Sequence, residues 1–232
     1  MAKSYALIGG TSGIGAACIK QMAADGNELH VACRHTELVA KGCASVQNFD
    51  AATPSSLSWP AKLDGLVYFP GTINLKPFHR LTTDDFIKDL QVNLLGAIHA
   101  LQSALPALKA AESASVVLFS TVAVGQGMPF HASIAAAKGA VEGLAASLAA
   151  EWAPRIRVNV IAPSLTDTAL AGALLADDVK RAAAAKRHPL QAVGDASDVA
   201  DLVKFLLSDS SRFMTGQVLR PDGGLSSVRL FS

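Results

Sequence analysis

The chain carries five short apolar runs, separated by longer stretches in which apolar residues recur at helical spacing. The runs are SYALIGG at Ser4–Gly10, ELHVAC at Glu28–Cys33, DGLVYF at Asp64–Phe69, SVVLFST at Ser115–Thr121 and RVNVIAP at Arg157–Pro163. Each is nearly continuous in apolar residues, which is typical of parallel strands that are covered on both faces. A last strand is predicted in GQVLRPDGG, at Gly216–Gly224, where a glycine turn ends it.

The stretches between the runs are predicted to be helical. The four longest candidates are Ile14–Ala24, Thr83–Ala110, His131–Trp152 and Ser197–Leu207. Strands and helices alternate from end to end, with no linker, repeat or low-complexity tract between them. The pattern therefore predicts an α/β fold with a Rossmann-like, doubly wound parallel sheet, helices on both faces and a single domain over residues 1–232.

Composition narrows the class of protein. Of the 232 residues, 50% are hydrophobic and 17% are charged, which is enough to bury a large core. The net charge of +1 provides no basic surface for nucleic acid, and no apolar run is long enough to predict a membrane span. The three cysteines, Cys18, Cys33 and Cys43, have neither paired nor metal-ligand spacing, so no metal site is predicted and a cytoplasmic location is expected.

A glycine-rich turn joins the first strand to the first helix, in the sequence ALIGGTSGIGAA. Gly9 and Gly13 allow the backbone to turn tightly, and Gly15 allows the helix to approach the strand closely. Such a turn directs the N–H groups of the helix N-terminus at a pyrophosphate, and Thr11, Ser12 and Ile14 complete the predicted binding turn. The spacing differs from the commonest dinucleotide fingerprint, so the glycines alone also fit a tight turn that binds nothing.

Further motifs follow the turn in a fixed order. They are VNLLGA with Asn93, VVLFST ending in Thr121, AAAKGAVEGL with Lys138, RVNVIAPSLTDT, and FMTGQVLRPDGG near the C-terminus. Together with the glycine turn, these segments resemble the short-chain dehydrogenase/reductase family over nearly the whole chain. The resemblance implies a nicotinamide-binding domain with a seven-stranded sheet, a small-molecule substrate and assembly into a homodimer or homotetramer.

The end of the second strand bears on which nicotinamide cofactor is bound. An NAD-preferring site places Asp or Glu there, but this sequence has Cys33 followed by Arg34 and His35. A guanidinium binds phosphate with charge-assisted hydrogen bonds, and Ser12 offers a further donor to the same 2′-phosphate. We therefore expect NADP(H) to be preferred over NAD(H). The alternative is that Arg34 is a solvated loop charge.

Other cofactor contacts are implied by the resemblance. Asp50 is similar to the aspartate that binds the adenine amine, and Pro70 with Gly71 occupies the place of the family's alanine and glycine beside the ribose. In the loop after the Arg157–Pro163 strand, Pro163 and Thr168 follow the family pattern, whereas Ser164 replaces a glycine and Thr166 an aliphatic residue. The backbone at Thr166 is still expected to contact the carboxamide, and the Thr168 hydroxyl the pyrophosphate.

The resemblance also assigns the active site and shows where this sequence departs from it. In a working member, a tyrosine donates a proton to the substrate carbonyl, a lysine four residues later binds the ribose, a serine polarises the carbonyl and an asparagine holds a relay water. Asn93 and Lys138 are present, and Thr121 offers a hydroxyl in the serine position. The tyrosine position holds Ile134, which has no proton to give.

A replacement proton donor is left open by the sequence. His131 lies three residues before Ile134 and is one candidate, although a histidine near a helix start also bonds to backbone or solvent. Thr121 with a water held by Asn93 and Lys138 is another. Two functions follow: an NADP(H)-dependent oxidoreductase of a carbonyl or alcohol substrate with a rearranged proton donor, or an NADP(H)-binding protein without turnover that acts as a redox sensor or inactive assembly partner.

The segment Ala169–Leu190 occupies the place of the family's substrate lid. Leu170, Leu174 and Leu175 are expected to form an apolar wall of the substrate pocket, or else the buried side of an amphipathic helix over the sheet edge.

Overall fold

The computed structural model describes residues 2–230, so residues 1, 231 and 232 of the predicted domain lie outside the described residues. Seven strands form one sheet in the order β3-β2-β1-β4-β5-β6-β7, and every neighbouring pair is parallel. The strands are β1 Ser4–Ile8, β2 Glu28–Cys33, β3 Ser45–Asn48, β4 Gly65–Tyr68, β5 Ala114–Phe119, β6 Ile156–Ile161 and β7 Val218–Leu219. The predicted doubly wound, seven-stranded fold is confirmed.

Helices cover both faces of the sheet. They are α1 Gly13–Ala24, α2 Thr83–Leu90, α3 Gly96–Lys109, α4 Val122–Gln126, α5 Ala132–Trp152, α6 Asp178–Ala185 and α7 Ala196–Leu207. On one face, α1 and α7 pack together over a buried cluster that includes Leu7, Val31 and Val203. On the other, α3 and α5 bury a second cluster around Leu66 and Val158. These two clusters explain why the strand sequences are apolar at successive positions.

The strand β3 was not predicted, because it carries no apolar run. It lies at the sheet edge beside β2, and the Val46 side chain is 41% exposed. A strand with solvent on one side needs few apolar residues, so its sequence SVQN does not differ from a loop. In the remaining strands the observed bounds are within a few residues of the predicted ones, except that β7 occupies only two residues of Gly216–Gly224.

The predicted helical segment Thr83–Ala110 is helical from Thr83 to Lys109, but it is not a regular α-helix throughout. The structure has α2 and α3 separated by a π-helical turn at Gln91–Leu95. Within this turn, the Asn93 side chain donates a hydrogen bond to the backbone carbonyl of Asp89 at 2.8 Å. A π turn widens the helix by one residue per turn and is frequent at functional sites. Here it directs a buried asparagine towards the end of β4.

The carboxyl ends of β1, β4, β5 and β6 meet at one edge of the sheet. The strand order reverses between β1 and β4, which is where open α/β sheets form a binding crevice. Among residues 2–230, no helix is both long and apolar enough to cross a membrane.

Candidate active site

The glycine turn forms one end of the crevice. Gly9, Gly10 and Gly13 have φ values of 88°, 114° and 54°, in the left-handed region that side chains disfavour. A Cβ on Gly15 would lie 2.6 Å from Gly10 Cα, so the helix α1 approaches the turn more closely than any side chain permits. The backbone of the turn and the N-terminus of α1 therefore face a cavity directly.

This first cavity, which we call the turn groove, has a volume of about 360 Å³. The predicted cofactor residues that line it are Gly9, Thr11, Ser12, Gly13, Ile14, Gly15, Arg34, Asp50, Pro70, Gly71 and Thr168. The structure thus brings most of the predicted set to one groove.

The residues predicted to bind the adenosine half lie at the outer end of the turn groove. Arg34 is exposed at its rim, and Asp50 accepts a hydrogen bond from the Ala52 N–H at 2.9 Å. His35 does not line the groove, because its imidazole turns towards Glu37, 3.5 Å away. The segment after Arg34 holds only a short 3₁₀ turn at Thr36–Leu38.

A second cavity adjoins the turn groove, because Gly71, Thr72 and Thr168 line both. This substrate cavity, as we call it, has a volume of about 290 Å³. The predicted residues in its wall are Thr121, His131, Ile134, Lys138, Pro163, Thr166, Thr168, Leu170 and Leu174. All the catalytic candidates except Asn93 therefore face one space.

Lys138 projects from α5 into the floor of the substrate cavity. Its side chain is buried, and Nζ donates a hydrogen bond to the Phe119 carbonyl at 2.9 Å. Burial disfavours the charged amine and lowers the pKa of Lys138 to about 8, while the negative charge of Asp89 acts in the opposite direction. An amine in this environment changes its charge readily when a ligand enters.

Asn93 lies behind Gly71 and not in the cavity wall. A Cβ on Gly71 would lie 3.2 Å from Asn93 Oδ1 and 3.4 Å from Lys138 Nζ, so the glycine lets both polar groups approach the backbone. Among the described residues, Asn93 Oδ1 is a buried acceptor without a hydrogen-bond partner. Such an atom is costly unless a water or ligand group satisfies it.

Asp89 and Thr72 belong to this site but were missed from the sequence. The Thr72 hydroxyl donates to Asp89 Oδ1 at 2.6 Å and accepts from the Asn93 amide at 2.8 Å. Asp89 is 2% exposed although it lies on α2, whose neighbouring Asp84 is solvent-exposed. A helix with several acids is typical of a solvated surface, so the sequence offers no signal that one of them is buried.

Replacing Asp89 with asparagine should lower the pKa of Lys138 below about 8, because the substitution removes the negative charge that favours the protonated amine. NMR titration of the lysine ε-carbon would measure the change. Asp84→Asn, with the same change of charge on the exposed side of α2, is the control and should leave the midpoint in place. An unchanged midpoint in Asp89→Asn would contradict the electrostatic pairing.

Two hydroxyl groups follow β5, and they have different surroundings. The Thr121 oxygen accepts a hydrogen bond from the Ala123 N–H at 3.3 Å, which leaves its proton available to the substrate cavity. Ser120 instead donates to Glu142 at 2.5 Å. Thr121 is therefore the hydroxyl that is placed to polarise a bound carbonyl.

Ile134, which the resemblance assigns to the family's tyrosine position, and His131 both lie at the start of α5. Ile134 is 5% exposed and presents an apolar side chain to the cavity. His131 precedes the first helical residue, and its Nδ1 is 2.7 Å from the Pro129 carbonyl. Because a carbonyl only accepts, Nδ1 carries a proton and Nε2 is the free ring nitrogen.

The three leucines of the lid segment have different surroundings. Leu170 and Leu174 lie on a 3₁₀ turn, Ala169–Leu174, and line the substrate cavity. Leu175 is buried in a small separate core with Ala171 and Ala184 of α6. The lid is therefore an apolar wall with its own packed interior.

Ser164 and His188 are further polar residues in the cavity wall. The sequence marks Ser164 as a departure from the family pattern, whereas His188 has no signal beyond its place in the HPL segment. Their side chains are 3.0 Å apart.

A glycine turn at the strand-order reversal and a buried lysine one cavity away define a Rossmann-like dinucleotide-binding protein. Comparison with known proteins gives the family. A family model described as enoyl-(acyl carrier protein) reductase matches residues 44–226. A tropinone reductase homologue of Arabidopsis thaliana is 36% identical, over 94% of this chain and 90% of the relative.

Solved structures agree. An aldohexose dehydrogenase of Thermoplasma acidophilum, in its ligand-free form, superposes with a TM-score of 0.89 at 25% identity, over 100% of this chain and 96% of that chain. A putative 2-deoxy-D-gluconate 3-dehydrogenase of Agrobacterium tumefaciens, with bound NADP, gives 0.87 at 31% identity over 96% of both chains. The chain belongs to the short-chain dehydrogenase/reductase family and is an oxidoreductase of that type.

Proposed function

We propose that the protein is an NADP(H)-dependent oxidoreductase that acts on a small carbonyl or alcohol substrate without the family's tyrosine. One observation carries the proposal: Lys138 and the Thr121 hydroxyl reach a cavity with an apolar wall, and this cavity adjoins the groove of the glycine turn. A binding turn next to a hydroxyl and a buried amine is the arrangement that hydride transfer to a carbonyl requires.

The residues present fit a nicotinamide dinucleotide. The left-handed glycines line the groove, and the first turn of α1 contains no acidic residue that would repel a pyrophosphate. We assign the pyrophosphate to this turn and Thr168, the adenine to Asp50, and the nicotinamide ribose to Lys138. The bound cofactor would supply or accept the hydride.

Several further contacts belong to the same proposal. Pro163 and the backbone at Thr166 would hold the carboxamide, and Pro70 with Gly71 would pack against the ribose. The Asn93 Oδ1 atom, buried without a partner among the described residues, would accept from a water linked to Lys138.

The preference for NADP(H) rests on charge at the rim of the turn groove. Arg34 is exposed there, and Ser12 lies beside α1 with a hydroxyl that makes no capping bond within the described residues. The Agrobacterium relative carries bound NADP, which supports the same preference. His35, which turns away from the groove, would need a rotation of its side chain to contact the 2′-phosphate.

Arg34→Ala should weaken NADPH binding by about 10- to 100-fold, because it removes a charge-assisted contact to phosphate worth about 1.5–3 kcal/mol. NADH lacks the 2′-phosphate and should lose less than about threefold. Fluorescence titration of both cofactors measures the two affinities. Arg80→Ala, at another exposed arginine, should change neither. Equal losses for NADPH and NADH would contradict the assigned contact.

The chain's own groups divide the proposed chemistry among them. Thr121 donates a hydrogen bond to the substrate oxygen, and the leucines of the lid hold the apolar part of the substrate away from water. The proton must come from a group other than Ile134. His131 and a water near Thr121 are the candidates that the sequence raises.

Ile134 itself favours a second function. An apolar side chain, 5% exposed, fills the position of the general acid, as expected for a protein that binds NADP(H) without turnover and acts as a redox sensor or an inactive assembly partner. The discriminating experiment measures NADPH oxidation with a panel of aldehydes, ketones, quinones and imines, and NADPH affinity by titration. Turnover of any panel member supports the oxidoreductase; submicromolar binding without turnover overturns it in favour of the sensor.

We further propose that residues 1–232 form one domain that assembles into a homodimer or homotetramer in the cytoplasm. Leu144 and Leu148 on α5 are only partly buried within the subunit, which suits packing against a second copy.

A further inference from the structure

Ser164 and His188 form a hydrogen-bonded pair in the wall of the substrate cavity. Ser164 follows β6 and His188 follows α6, and the His188 Nε2 atom is 3.0 Å from the Ser164 hydroxyl oxygen. The imidazole is 2% exposed, whereas Ser164 is partly exposed and faces the cavity. Thr121 and Ile134 line the same cavity.

The backbone fixes how this pair shares its protons. His188 Nδ1 is 2.9 Å from the Ala184 carbonyl, and because a carbonyl only accepts, Nδ1 carries a hydrogen. When the ring is neutral, Nε2 accepts from the Ser164 hydroxyl; when the ring is protonated, Nε2 donates to it. The ring packs against Gly223, where a Cβ would lie 3.3 Å from His188 Cβ. The imidazole is thus held in one orientation behind the serine.

We propose that Ser164 is the proton donor that replaces the missing tyrosine, and that His188 is the positioning residue that supplies its proton. This inference rests on the proposed oxidoreductase function. The pair differs from the other candidates, because Ser164 combines access to the cavity with a titratable group bonded directly behind it. His131, by contrast, is half-buried at the start of α5 and bonds to the backbone.

In the reducing direction, the substrate carbonyl receives a hydride at carbon and a proton at oxygen. The substrate C=O π bond breaks, and its carbon gains a C–H bond from the hydride of a reduced nicotinamide, which is thereby oxidised. The substrate oxygen takes the Ser164 hydroxyl proton, Ser164 takes the Nε2 proton of the imidazolium, and solvent restores that proton. In the oxidising direction the neutral imidazole accepts the alcohol proton through Ser164.

Charged groups of both signs surround the imidazole. Asp222, on the loop after β7, interacts electrostatically with His188 and is itself buried. Arg187 precedes His188 in the chain and lines the substrate cavity, and Lys138 lies in the same cavity. One carboxylate therefore favours the imidazolium, and two cations oppose it.

The two directions should consequently have opposite pH profiles. Only the protonated imidazole donates to Ser164 and only the neutral one accepts from it, so reduction should decrease, and oxidation increase, as pH rises. Ser164→Ala should lower kcat by about 10²–10⁴-fold in both directions and leave NADPH affinity within about threefold. His188→Asn should remove the pH dependence, whereas His131→Asn should retain it.

A second readout uses the cofactor-free protein. The ¹⁵N NMR signals of His188 should show a proton on Nδ1, and the Nε2 signal should move in Ser164→Ala because its hydrogen bond is lost. This measurement keeps the inference testable if His188→Asn does not fold.

These experiments distinguish a failure of the Ser164–His188 assignment from a failure of the proposed oxidoreductase function. If the wild-type protein reduces none of the panel, the proposed function fails and the inference falls with it. If the wild type is active and Ser164→Ala keeps kcat within about threefold, or the Nε2 signal does not move, the inference alone is overturned. Loss of the pH profile in His131→Asn, and not in His188→Asn, would also overturn it.

Discussion

In the Ser164→Ala variant, which lacks the proposed donor, Ile134→Tyr should raise the rate of carbonyl reduction by about 10²–10⁴-fold, the usual contribution of a positioned general acid. Ile134 lines the substrate cavity and lies one helical turn before Lys138 on α5, so a phenol there would share the cavity with the buried amine. The positive charge of Lys138 would lower the pKa of the new phenol and so aid proton transfer. Steady-state kcat/KM on the substrates that the wild type turns over measures the gain.

Ile134→Phe is the matched control for this gain, because it adds the ring without the hydroxyl. If the phenylalanine variant gains as much as the tyrosine variant, cavity shape and not proton donation is responsible. If neither gains and NADPH binding is preserved, the cavity has no room for substrate beside a ring.

The sheet could be predicted because its central strands are buried on both faces. Burial of β5 between α5 and α7 requires apolar residues at successive positions, and that requirement is visible as the run SVVLFST. The edge strand β3 has no such requirement, so its sequence carries no signal. The π turn at Asn93 was equally hidden, since QVNLL has the pattern of an ordinary amphipathic helix and nothing in it predicts the side-chain bond to the Asp89 carbonyl.

Some residues of the candidate site could be predicted from the sequence and others could not. Residues fixed by a local backbone constraint, such as Gly13 in its left-handed conformation, are recognisable from short motifs. Partners that meet through tertiary folding are not. Ser164 and His188 meet only when the end of the lid returns to the loop after β6, and Asp89 approaches Lys138 only because α2 packs against α5. The spacing of these residues in the sequence does not predict either contact.

Lys138→Met should make the cofactor-free protein more stable at pH 7 while removing its turnover. Burial lowers the pKa of this lysine from 10.5 to about 8, which means that the charged amine destabilises the folded state by about 3 kcal/mol. Methionine fills similar space without that cost but leaves the Phe119 carbonyl without its donor, a loss of about 1 kcal/mol. A net gain of about 2 kcal/mol in unfolding free energy is expected.

The unfolding free energies of the wild type and of Lys138→Met should depend differently on pH. Between pH 8 and 10.5 the unfolded lysine holds its proton and the folded one does not, so the unfolding free energy of the wild type rises with pH through that window. The methionine variant lacks this rise, and its advantage should shrink as urea denaturation is repeated from pH 7 to pH 10. Lys88→Met, at an exposed lysine of α2, should show neither effect.

The Lys138→Met variant should bind NADPH at least about tenfold more weakly, because it lacks the charged group that we propose to donate to the ribose. Such a contact is worth about 1.5–3 kcal/mol. Fluorescence titration measures this loss beside the gain in stability. A higher unfolding free energy together with a lower affinity for NADPH is expected if the buried amine serves ligand binding. Such an amine destabilises the cofactor-free fold and makes its favourable contact only when the cofactor is bound. A variant that is less stable at pH 7 and binds NADPH normally would show that Lys138 supports the fold and not the ligand.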